Sequence, residues 1–378
     1  MTALVLDRSS PIPLYHQLAQ YLGREIRSGR YEANAQLPPV GRLVKMFGVS
    51  MPVVQQALGR LEEQRLIVRE RGRGTFVRPG ADWSTVEGHV VRHHRMGLVM
   101  GWESWSIFAP LPGGAEDECH TSGFQVAIGN SRDTVAIEIE KIRELVNRGI
   151  DALLWVCASS GPNPALVRRV VRDVPVVVAV DREVEIEGVR LNLVEPDNAG
   201  GMRAVVRHLL ENGHRRIAYI REPFPVSSTW VREHAYAHAL REAGIEPQPR
   251  WVLTSRESLY ENGIACATRI LEEKMELDAI CCQSDRTAIG VLNVLQDAGV
   301  RVPQDVAITG FNDDPMARMV RPRLTTAHFD VSQMGRLAAR LALTQLAALE
   351  RGENVEPERV IVPVQLVVRE STGKDRNC

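Results

Sequence analysis

Residues 47–77 read FGVSMPVVQQALGRLEEQRLIVRERGRGTFV, and this stretch decides the fold of the amino-terminal part of the chain. Ser50 follows a glycine-containing turn and can cap a helix. Pro52 is tolerated in the first turn of that helix because its missing N–H has no partner there. The apolar residues recur at helical spacing, at Val54, Ala57, Leu58 and Leu61. The pattern predicts an amphipathic helix directly after a tight turn.

The sequence on either side extends this helix into a small domain. Downstream, alternating runs at 67–69 and 75–77 predict two strands around the basic segment Arg71-Gly72-Arg73-Gly74. Upstream, apolar residues at helical spacing predict a first helix, and a second short helix follows Pro38-Pro39. Helices joined by a tight turn and followed by a basic hairpin are typical of a winged helix-turn-helix domain, which we predict over residues 1–79.

Charge is distributed unevenly along the 378 residues. Residues 1–80 contain 12 Lys and Arg against 6 Asp and Glu, whereas the remainder contains 34 against 41. A basic domain joined to an acidic one indicates that the basic part binds a polyanion. Charge alone also fits a basic surface that contacts only solvent. The candidates for phosphate or minor-groove contact in double-stranded DNA are Arg42, Lys45, Arg60, Arg71 and Arg73.

Base contacts require side chains at the start of the helix that begins near Ser50 and Met51. Gln55 and Gln56 can read adenine because a glutamine amide pairs a donor with an acceptor. In the hairpin, Gly72 and Gly74 would let the backbone of the wing approach DNA closely. These residues complete the predicted DNA-binding surface.

Residues 80–95 predict a linker, and the pair His93-His94 within it is too small a set to predict a metal site. The six cysteines have no disulfide or zinc spacing, which favours a reducing, cytoplasmic location. No apolar run approaches the roughly 20 residues that span a bilayer, and no secretory signal is visible at the amino terminus. We therefore expect no membrane partner.

From Met96 onward, short apolar strand patterns, such as Ile217–Ile220 and Ala279–Cys282, alternate with helical patterns, which is typical of parallel sheets covered by helices. About 280 residues exceed one open sheet of six strands, so two α/β lobes in tandem fit better. Ligands of such sheets bind outside the carboxyl ends of the strands. Two facing lobes would therefore enclose one cleft.

Residues 11–78 resemble the winged helix-turn-helix domain of the GntR family. The matching segments are Pro13-Leu14-Tyr15 with Gln17-Leu18, Ser28-Gly29, Leu37-Pro38, Phe47-Gly48-Val49-Ser50, Ala57-Leu58, Leu61-Glu62 and Gly72-Arg73-Gly74-Thr75-Phe76-Val77. The resemblance implies a DNA-reading head whose third helix enters the major groove. A typical family member has Arg where this chain has Met51 and Gln55, Ser where it has Pro39, and an acidic-basic pair where it has Val40-Gly41. Either the head reads an unusual operator, with Met51 against a thymine methyl, or its DNA affinity is weak.

The remainder resembles the effector-binding domain of the LacI/GalR family, which is similar to periplasmic sugar-binding proteins. The matching segments are Val180-Asp181-Arg182, Asp197-Asn198, Gly200-Gly201, Gly213-His214-Arg215-Arg216-Ile217-Ala218, Gly310-Phe311-Asn312-Asp313, Leu324-Thr325-Thr326 and Leu366-Val367-Val368-Arg369-Glu370-Ser371-Thr372. The resemblance implies an effector domain over 96–372 and a short tail over 373–378. Lobe 1 would comprise about 96–194 and 327–350, and lobe 2 about 195–326 and 351–372. The whole chain is similar to hybrid regulators of the arabinose-repressor type.

The same resemblance implies an effector site. Arg232 matches the arginine that grips the effector from the second lobe, Asn312 falls where an effector-binding Asp is usual, and Asp181 occupies a position that is often polar. Ser284 and Asp285 follow a predicted strand, although Asp285 can equally cap its helix and Asp181 can equally pair with Arg182. Asn312 indicates an altered effector or a neutralised site, for which Asp313 can compensate.

Residues 101–114 depart from the long helix that the family places here. Pro110, Pro112 and Gly113-Gly114 make a regular helix improbable. Trp102 or Trp105 can stack on a sugar ring, or the two can fill the core of a shortened lobe.

Together these features predict a cytoplasmic, homodimeric transcriptional regulator. It would act as a repressor and respond to a sugar or sugar derivative. The alternative is a sugar-binding sensor whose head no longer reads DNA and serves for dimerisation or docking. A sugar-processing enzyme is the third hypothesis, and the absence of a legible nucleophile–base set speaks against it. We expect no cofactor, no metal and no catalytic residues.

Overall fold

A computed structural model of the chain describes residues 13–27, 30–32, 34–63, 66–70, 73–78, 93–101, 105–161 and 163–373. These fall into two compact units, an amino-terminal head (described over 13–78) and a carboxyl-terminal body (described over 93–373). Most of the predicted linker, residues 80–92, lies outside the described residues. Each unit is considered by itself below.

The head is a three-helix domain with a hairpin, as its periodicity predicts. Its elements are α1 (Leu14–Arg27), α2 (Val40–Phe47), α3 (Met51–Glu63), β1 (Ile67–Glu70) and β2 (Gly74–Val77). Gly48 adopts the left-handed conformation that ends α2 and turns the chain towards α3. The two strands pair antiparallel with Ile67 opposite Val77. The core of the head contains the fully buried residues Leu18, Leu22, Leu43, Val54, Leu58 and Leu61.

The first lobe of the body is built on a parallel sheet, whose first five strands are β3 (Arg95–Met100), β4 (Gln125–Asn130), β5 (Ala152–Trp155), β6 (Val176–Val180) and β7 (Asn192–Pro196). The helices in this part of the chain are α4 (Trp105–Phe108), α5 (Pro110–Thr121), α6 (Val135–Asn147) and α7 (Pro164–Asp173). The neighbouring strands β6, β5 and β3 are apolar almost throughout because helices cover both faces of the sheet.

The second lobe repeats the pattern on a smaller scale. Its helices are α8 (Asn198–Glu211), α9 (Ser227–Glu242), α10 (Leu259–Glu272) and α11 (Asp285–Asp297). Its strands are β8 (Ile217–Ile220), β9 (Val252–Leu253), β10 (Ala279–Cys282) and β11 (Ala307–Thr309), which form a parallel sheet in the order β11-β10-β8-β9. Strand β12 (Thr326–His328) follows, and β8 and β10 have the bounds that the sequence predicts.

The carboxyl-terminal part of the chain returns to both lobes. Helix α12 (Val331–Glu350) is followed by β13 (Arg359–Val362) and β14 (Gln365–Val367). Strand β14 pairs with β12, whereas β13 joins the first-lobe sheet with Arg359 opposite Leu193. The assignment of all of 351–372 to the second lobe is therefore wrong for β13. The pairing covers the edge of the buried strand β7, which would otherwise leave its main-chain groups without partners.

Helix α5 contradicts the prediction that residues 110–114 are not helical. Pro110 and Pro112 both lie in its first turn, where the N–H groups that proline lacks have no partner within the helix. Gly114 is needed because a Cβ there would lie 1.9 Å from the carbonyl oxygen of Ser332 in α12. The glycine lets two helices approach closely, so it supports the helix instead of interrupting it.

No helix among the described residues is long and apolar enough to cross a membrane. Within the same residues, no group of three or more His, Cys, Asp or Glu side chains is placed to hold a metal ion.

Candidate functional site

A cavity of about 70 Å³ lies between the two lobes of the body. Its polar lining follows the carboxyl ends of strands, since Asp181 comes directly after β6, Glu222 after β8 and Ser284 after β10. This is where the parallel sheets were expected to bind a ligand. The lining residues are Ile107, Phe108, Asp133, Ser159, Asp181, Arg182, Glu222, Phe224, Val226, Ser228, Arg232, Leu259, Ser284, Arg286, Asn312 and Asp314.

Arg232 is the most firmly held of the predicted effector residues. It projects from α9 and is buried, with Nε donating to Oδ1 of Asn198 and Nη1 donating to the carbonyl oxygen of Gln283, both at 2.8 Å. The guanidinium lies over the ring of Phe311 at 3.7 Å. Burial lowers the pKa of Arg232, and Glu222 and Asp181 counteract that shift. Two of its nitrogens are thus occupied by the second lobe, and Arg232 presents a fixed cation to the cavity.

The first-lobe wall carries a second charged cluster. Oδ2 of Asp181 lies 3.6 Å from Nε of Arg182, and Nη1 of Arg182 lies 3.6 Å from Oδ1 of Asp133. Asp181 has a φ of 67°, a left-handed conformation that is costly for a residue other than glycine. Burial raises the pKa of Asp181, and Arg182 and Arg232 oppose the rise. Asp181 therefore lines the cavity and also pairs with Arg182.

The side chains of Ser284 and Asp285, although adjacent in sequence, have different surroundings. Ser284 is the N-cap of α11 and also lines the cavity. Asp285 is not the N-cap and is not in the cavity lining. Its Oδ2 accepts a hydrogen bond from the main-chain N–H of Asp314 at 2.7 Å, and its carboxylate occupies the space that a Cβ at Gly310 would fill. Burial raises the pKa of Asp285 to about 8. Asp285 holds the loop 310–314 against α11, which corrects the prediction that it contacts an effector or caps the helix.

Asn312 lines the cavity, but Asp313 does not compensate for it. The two carboxylate oxygens of Asp313 lie 2.6 Å from Nη2 of Arg318 and 2.6 Å from Nη2 of Arg369, so the carboxylate is bound within the second lobe. These arginines lower the pKa of Asp313 against the opposing effect of its burial. The next residue, Asp314, reaches the cavity in its place.

The predicted aromatic residues of the cavity fall on a segment that is only partly described. Trp102 lies outside the described residues, and Trp105 begins α4, where its side chain is not among those described. Among the side chains that the structure describes, Phe108 and Phe224 are the aromatic ones in the lining. Sequence reasoning missed Glu222 and Phe224, although they lie two and four residues after the end of β8, where the strand-end rule places ligand-binding residues.

In the head, the exposed residues at the start of α3 carry no charge. Met51 is 53% exposed and Gln55 and Gln56 are exposed, whereas Arg60 is half-buried. Arg42 and Lys45 are exposed on α2, and Ser50 is exposed just before α3. The predicted base contacts and two of the predicted phosphate contacts are therefore accessible to a ligand.

The wing is only partly described, since Arg71 and Gly72 lie outside the described residues. Arg73 is exposed and its Nη1 lies 2.6 Å from Oε2 of Glu70. Gly74 has a φ of 127°, and a Cβ there would lie 2.4 Å from Nε2 of Gln36. That same nitrogen donates to the carbonyl oxygen of Arg73 at 2.9 Å. Gly74 is therefore favoured by its positive φ within the hairpin, and its predicted role in the approach to DNA stays a prediction.

Comparison with known proteins identifies both units. Residues 14–77 match the model of the gntR family of bacterial regulatory proteins, and residues 206–372 match the periplasmic binding protein-like domain. The HTH-type transcriptional regulator CelR of Thermobifida fusca is 31% identical over 251 residues, which are 66% of this chain and 71% of CelR. The chain belongs to the LacI/GalR family of transcriptional regulators. Its head is of the GntR type, as its sequence predicts.

Two further comparisons extend over most of the regulator. The arabinose metabolism transcriptional repressor of Geobacillus stearothermophilus is 25% identical over 373 residues, which are 97% of this chain and 99% of that repressor. A solved CelR–cellobiose complex superposes with a TM-score of 0.66 at 27% identity, and the match covers 88% of this chain and 95% of that one. These matches confirm the two-part α/β architecture and a DNA-binding regulatory function. Since the relatives are regulators, the enzyme hypothesis is set aside.

Proposed function

We propose that the regulator is a cytoplasmic homodimeric repressor whose affinity for its operator is controlled by a sugar or sugar derivative bound between the two lobes. The observation that carries this proposal is the polar cavity lined from both lobes, with Arg232 on one side and Asp181 on the other. It occurs in the same chain as a winged helix-turn-helix head.

The chemistry of the lining favours a sugar. Sugar hydroxyls need donors and acceptors in pairs, which Arg232, Asn312 and Asp181 supply, and the apolar face of a sugar ring needs an aromatic partner. Phe108 and Phe224 are the candidates for that partner. CelR has been solved with cellobiose, and the Geobacillus relative is named for arabinose metabolism. A neutral polyhydroxylated ligand fits this combination of charged pairs and aromatic rings.

Control would come from movement of the lobes. The cavity of about 70 Å³ is smaller than the roughly 300 Å³ of ordinary ligand pockets, so a sugar enters when the lobes separate. The chain passes between the lobes three times, near residues 197, 329 and 363, and these crossings form the hinge. A direct hydrogen bond from the main-chain N–H of Glu183 to Oγ of Ser227 holds the present arrangement at 2.8 Å. A ligand shifts DNA binding only as far as it prefers one lobe arrangement over the other.

Dimerisation and location complete the proposal. A two-fold operator matches a two-fold dimer, with one α3 in the major groove of each half-site. The described cysteines, Cys119, Cys157, Cys266, Cys281 and Cys282, are buried free thiols. Buried thiols without partners are compatible with a reducing compartment.

A ligand screen combined with operator binding tests this function. Thermal shift is measured with arabinose, galactose, glucose, cellobiose and glucuronic acid, because a ligand that binds the native state raises its stability by mass action. Affinity for DNA upstream of the regulator's own gene is then measured with and without each compound that stabilises the protein. We expect one compound both to stabilise the protein and to change its affinity for this DNA. A compound that raises the melting temperature while DNA is never bound with sequence preference would support the sensor alternative instead.

A further inference from the structure

The outward face of α3 is chemically unusual for a surface that meets DNA. Of the residues on this helix, the exposed ones near its start are Met51, Pro52, Gln55 and Gln56, and none carries a charge. Val54 and Leu58 face the core of the head. Met51 is 53% exposed, so it presents apolar surface to water that a ligand can cover.

The spacing of Met51 and Gln55 matches neighbouring base pairs. Residues four apart lie on the same face of a helix. They are separated by about 6 Å along its axis at 1.5 Å per residue. Base pairs stack about 3.4 Å apart along one strand. The two side chains therefore reach base edges that are one or two steps apart in the major groove.

The chemistry of the two side chains selects particular bases. An apolar side chain contacts the thymine methyl group, and a glutamine amide bonds adenine N6 and N7 together. Guanine is recognised by a bidentate Arg or Lys, and α3 has neither among its exposed residues. We propose that α3 reads an A·T-rich half-site, with Met51 against a thymine methyl and Gln55 paired with an adenine one or two base pairs away. This inference rests on the proposed binding of an operator.

A third residue fixes the position of this face. Nη2 of Arg69 in β1 donates to the carbonyl oxygen of Gln55 at 2.9 Å, and Nε of Arg69 lies 3.6 Å from Oε2 of Glu62. The guanidinium is bound to α3 itself, so Arg69 is a positioning residue and not a base contact. It ties the reading end of the helix to the wing.

Affinity and sequence preference are thereby assigned to different residues. Arg42 and Lys45 on α2 and Arg73 on the wing carry exposed positive charge, which neutralises phosphates whatever the sequence. Met51 and Gln55 contribute little to phosphate binding because they are uncharged. Substituting either should change the sequence preference and leave the dependence of affinity on salt almost unaltered.

Modified bases test the proposal one contact at a time. The full-length protein first selects sites from random duplex DNA. In the preferred site, each thymine is then replaced by uracil, which removes only the methyl group, and each adenine by 7-deazaadenine, which removes only the N7 acceptor. Dissociation constants are measured for the wild type and for Met51→Ala, Met51→Leu, Gln55→Ala and Gln56→Ala. All four substitutions are at exposed positions, and circular dichroism verifies that each variant folds.

We expect one thymine position at which uracil weakens wild-type binding about fourfold per half-site, as the loss of one buried methyl predicts. Met51→Ala should abolish that difference and Met51→Leu should retain it. At one adenine, 7-deazaadenine should weaken binding about tenfold. Gln55→Ala should abolish this effect, whereas Gln56→Ala, which removes the other candidate reader of adenine, should keep it.

Two results overturn the inference in distinguishable ways. An enriched site whose uracil and 7-deazaadenine effects are the same in the wild type and in the alanine variants, or one that requires guanine at these positions, refutes the A·T reading but leaves operator binding intact. Failure to enrich any sequence refutes operator recognition by the proposed function as well.

Discussion

The outward face of α3 and the interlobe cavity are both proposed ligand-binding surfaces, but they hold their polar groups in opposite ways. On α3, Met51 and Gln55 are exposed to solvent. In the cavity, Arg232 is buried and bonded to Asn198 and Gln283 before any ligand arrives. In the cavity, neighbouring groups already compensate the buried charge, whereas the start of α3 presents exposed side chains that carry no charge.

This difference predicts different consequences for substitutions. Removing a buried, hydrogen-bonded charge leaves its partners unsatisfied, which costs stability as well as affinity. Removing an exposed neutral side chain costs only the contact that it makes with its ligand. The experiments below follow from this contrast, beginning with the largest expected effect.

Arg232→Ala should abolish the response to the effector. Truncating one partner of a buried charged hydrogen bond costs about 2–5 kcal/mol, so affinity for the stabilising sugar should fall at least about 30-fold. Titration calorimetry measures this loss, and operator binding without sugar should persist.

The matched control is Arg241→Ala, which removes an exposed arginine from the same helix, 3.5 Å from Glu246. It should leave sugar affinity unchanged. A folded Arg232→Ala protein with wild-type sugar affinity would place the effector elsewhere.

Asp285→Asn should flatten the pH dependence of stability. Burial raises the pKa of Asp285 to about 8, so between pH 4 and pH 8 the folded state keeps a proton that the unfolded state releases. Stability therefore falls as pH rises, by at most about 1.4 kcal/mol per pH unit. Denaturant unfolding at pH 5 and pH 7 should show a smaller decrease for the variant than for the wild type.

Asp305→Asn is the control for this pH effect. Arg301 lowers the pKa of the exposed Asp305 to about 2, so this carboxyl does not titrate between pH 5 and pH 7. Its substitution should leave the slope in that range unchanged. Equal slopes in the wild type and Asp285→Asn would show that Asp285 titrates normally.

Met51→Arg should convert the neutral reading face into a charged one. The added positive charge steepens the plot of log affinity against log salt by at most about 0.9, the value for a full phosphate contact. The preferred base at this position should change from thymine to guanine. Fluorescence anisotropy at several salt concentrations checks both effects. Met319→Arg, at a body methionine that is 73% exposed, adds the same charge and should change neither.

Arg69→Ala should have the smallest effect. Loss of its hydrogen bond to the carbonyl oxygen of Gln55 should destabilise the head by at most about 1 kcal/mol, because the pair is exposed to solvent. Discrimination for adenine should weaken while the salt dependence stays the same. Arg73→Ala should have the opposite pattern: it should reduce the salt dependence and weaken binding to all sequences alike, and the discrimination for adenine should stay the same. An unchanged adenine preference in Arg69→Ala would contradict the positioning role.

Much of the cavity lining was predictable, because the family resemblance implies Asp181, Arg232 and Asn312, and Ser284 follows a predicted strand. All four lie in the cavity lining. The sequence was misleading for Asp285 and Asp313, since which of several neighbouring acidic residues turns outward depends on the backbone of the loop 310–314. Asn312 and Asp313 both have positive φ there, which Asn and Asp adopt more often than other residues with a side chain, but the sequence does not say at which position.

The sequence by itself determined the winged helix-turn-helix head, the alternation of strands and helices, and strands such as Ile217–Ile220, because hydrophobic periodicity is a local property of the chain. Only the tertiary structure decided that Pro110–Thr121 is a helix and that Arg359–Val362 joins the first-lobe sheet. The reason is physical: Gly114 is explained by the approach of Ser332, and β13 by the open edge of β7, and both partners are distant in sequence.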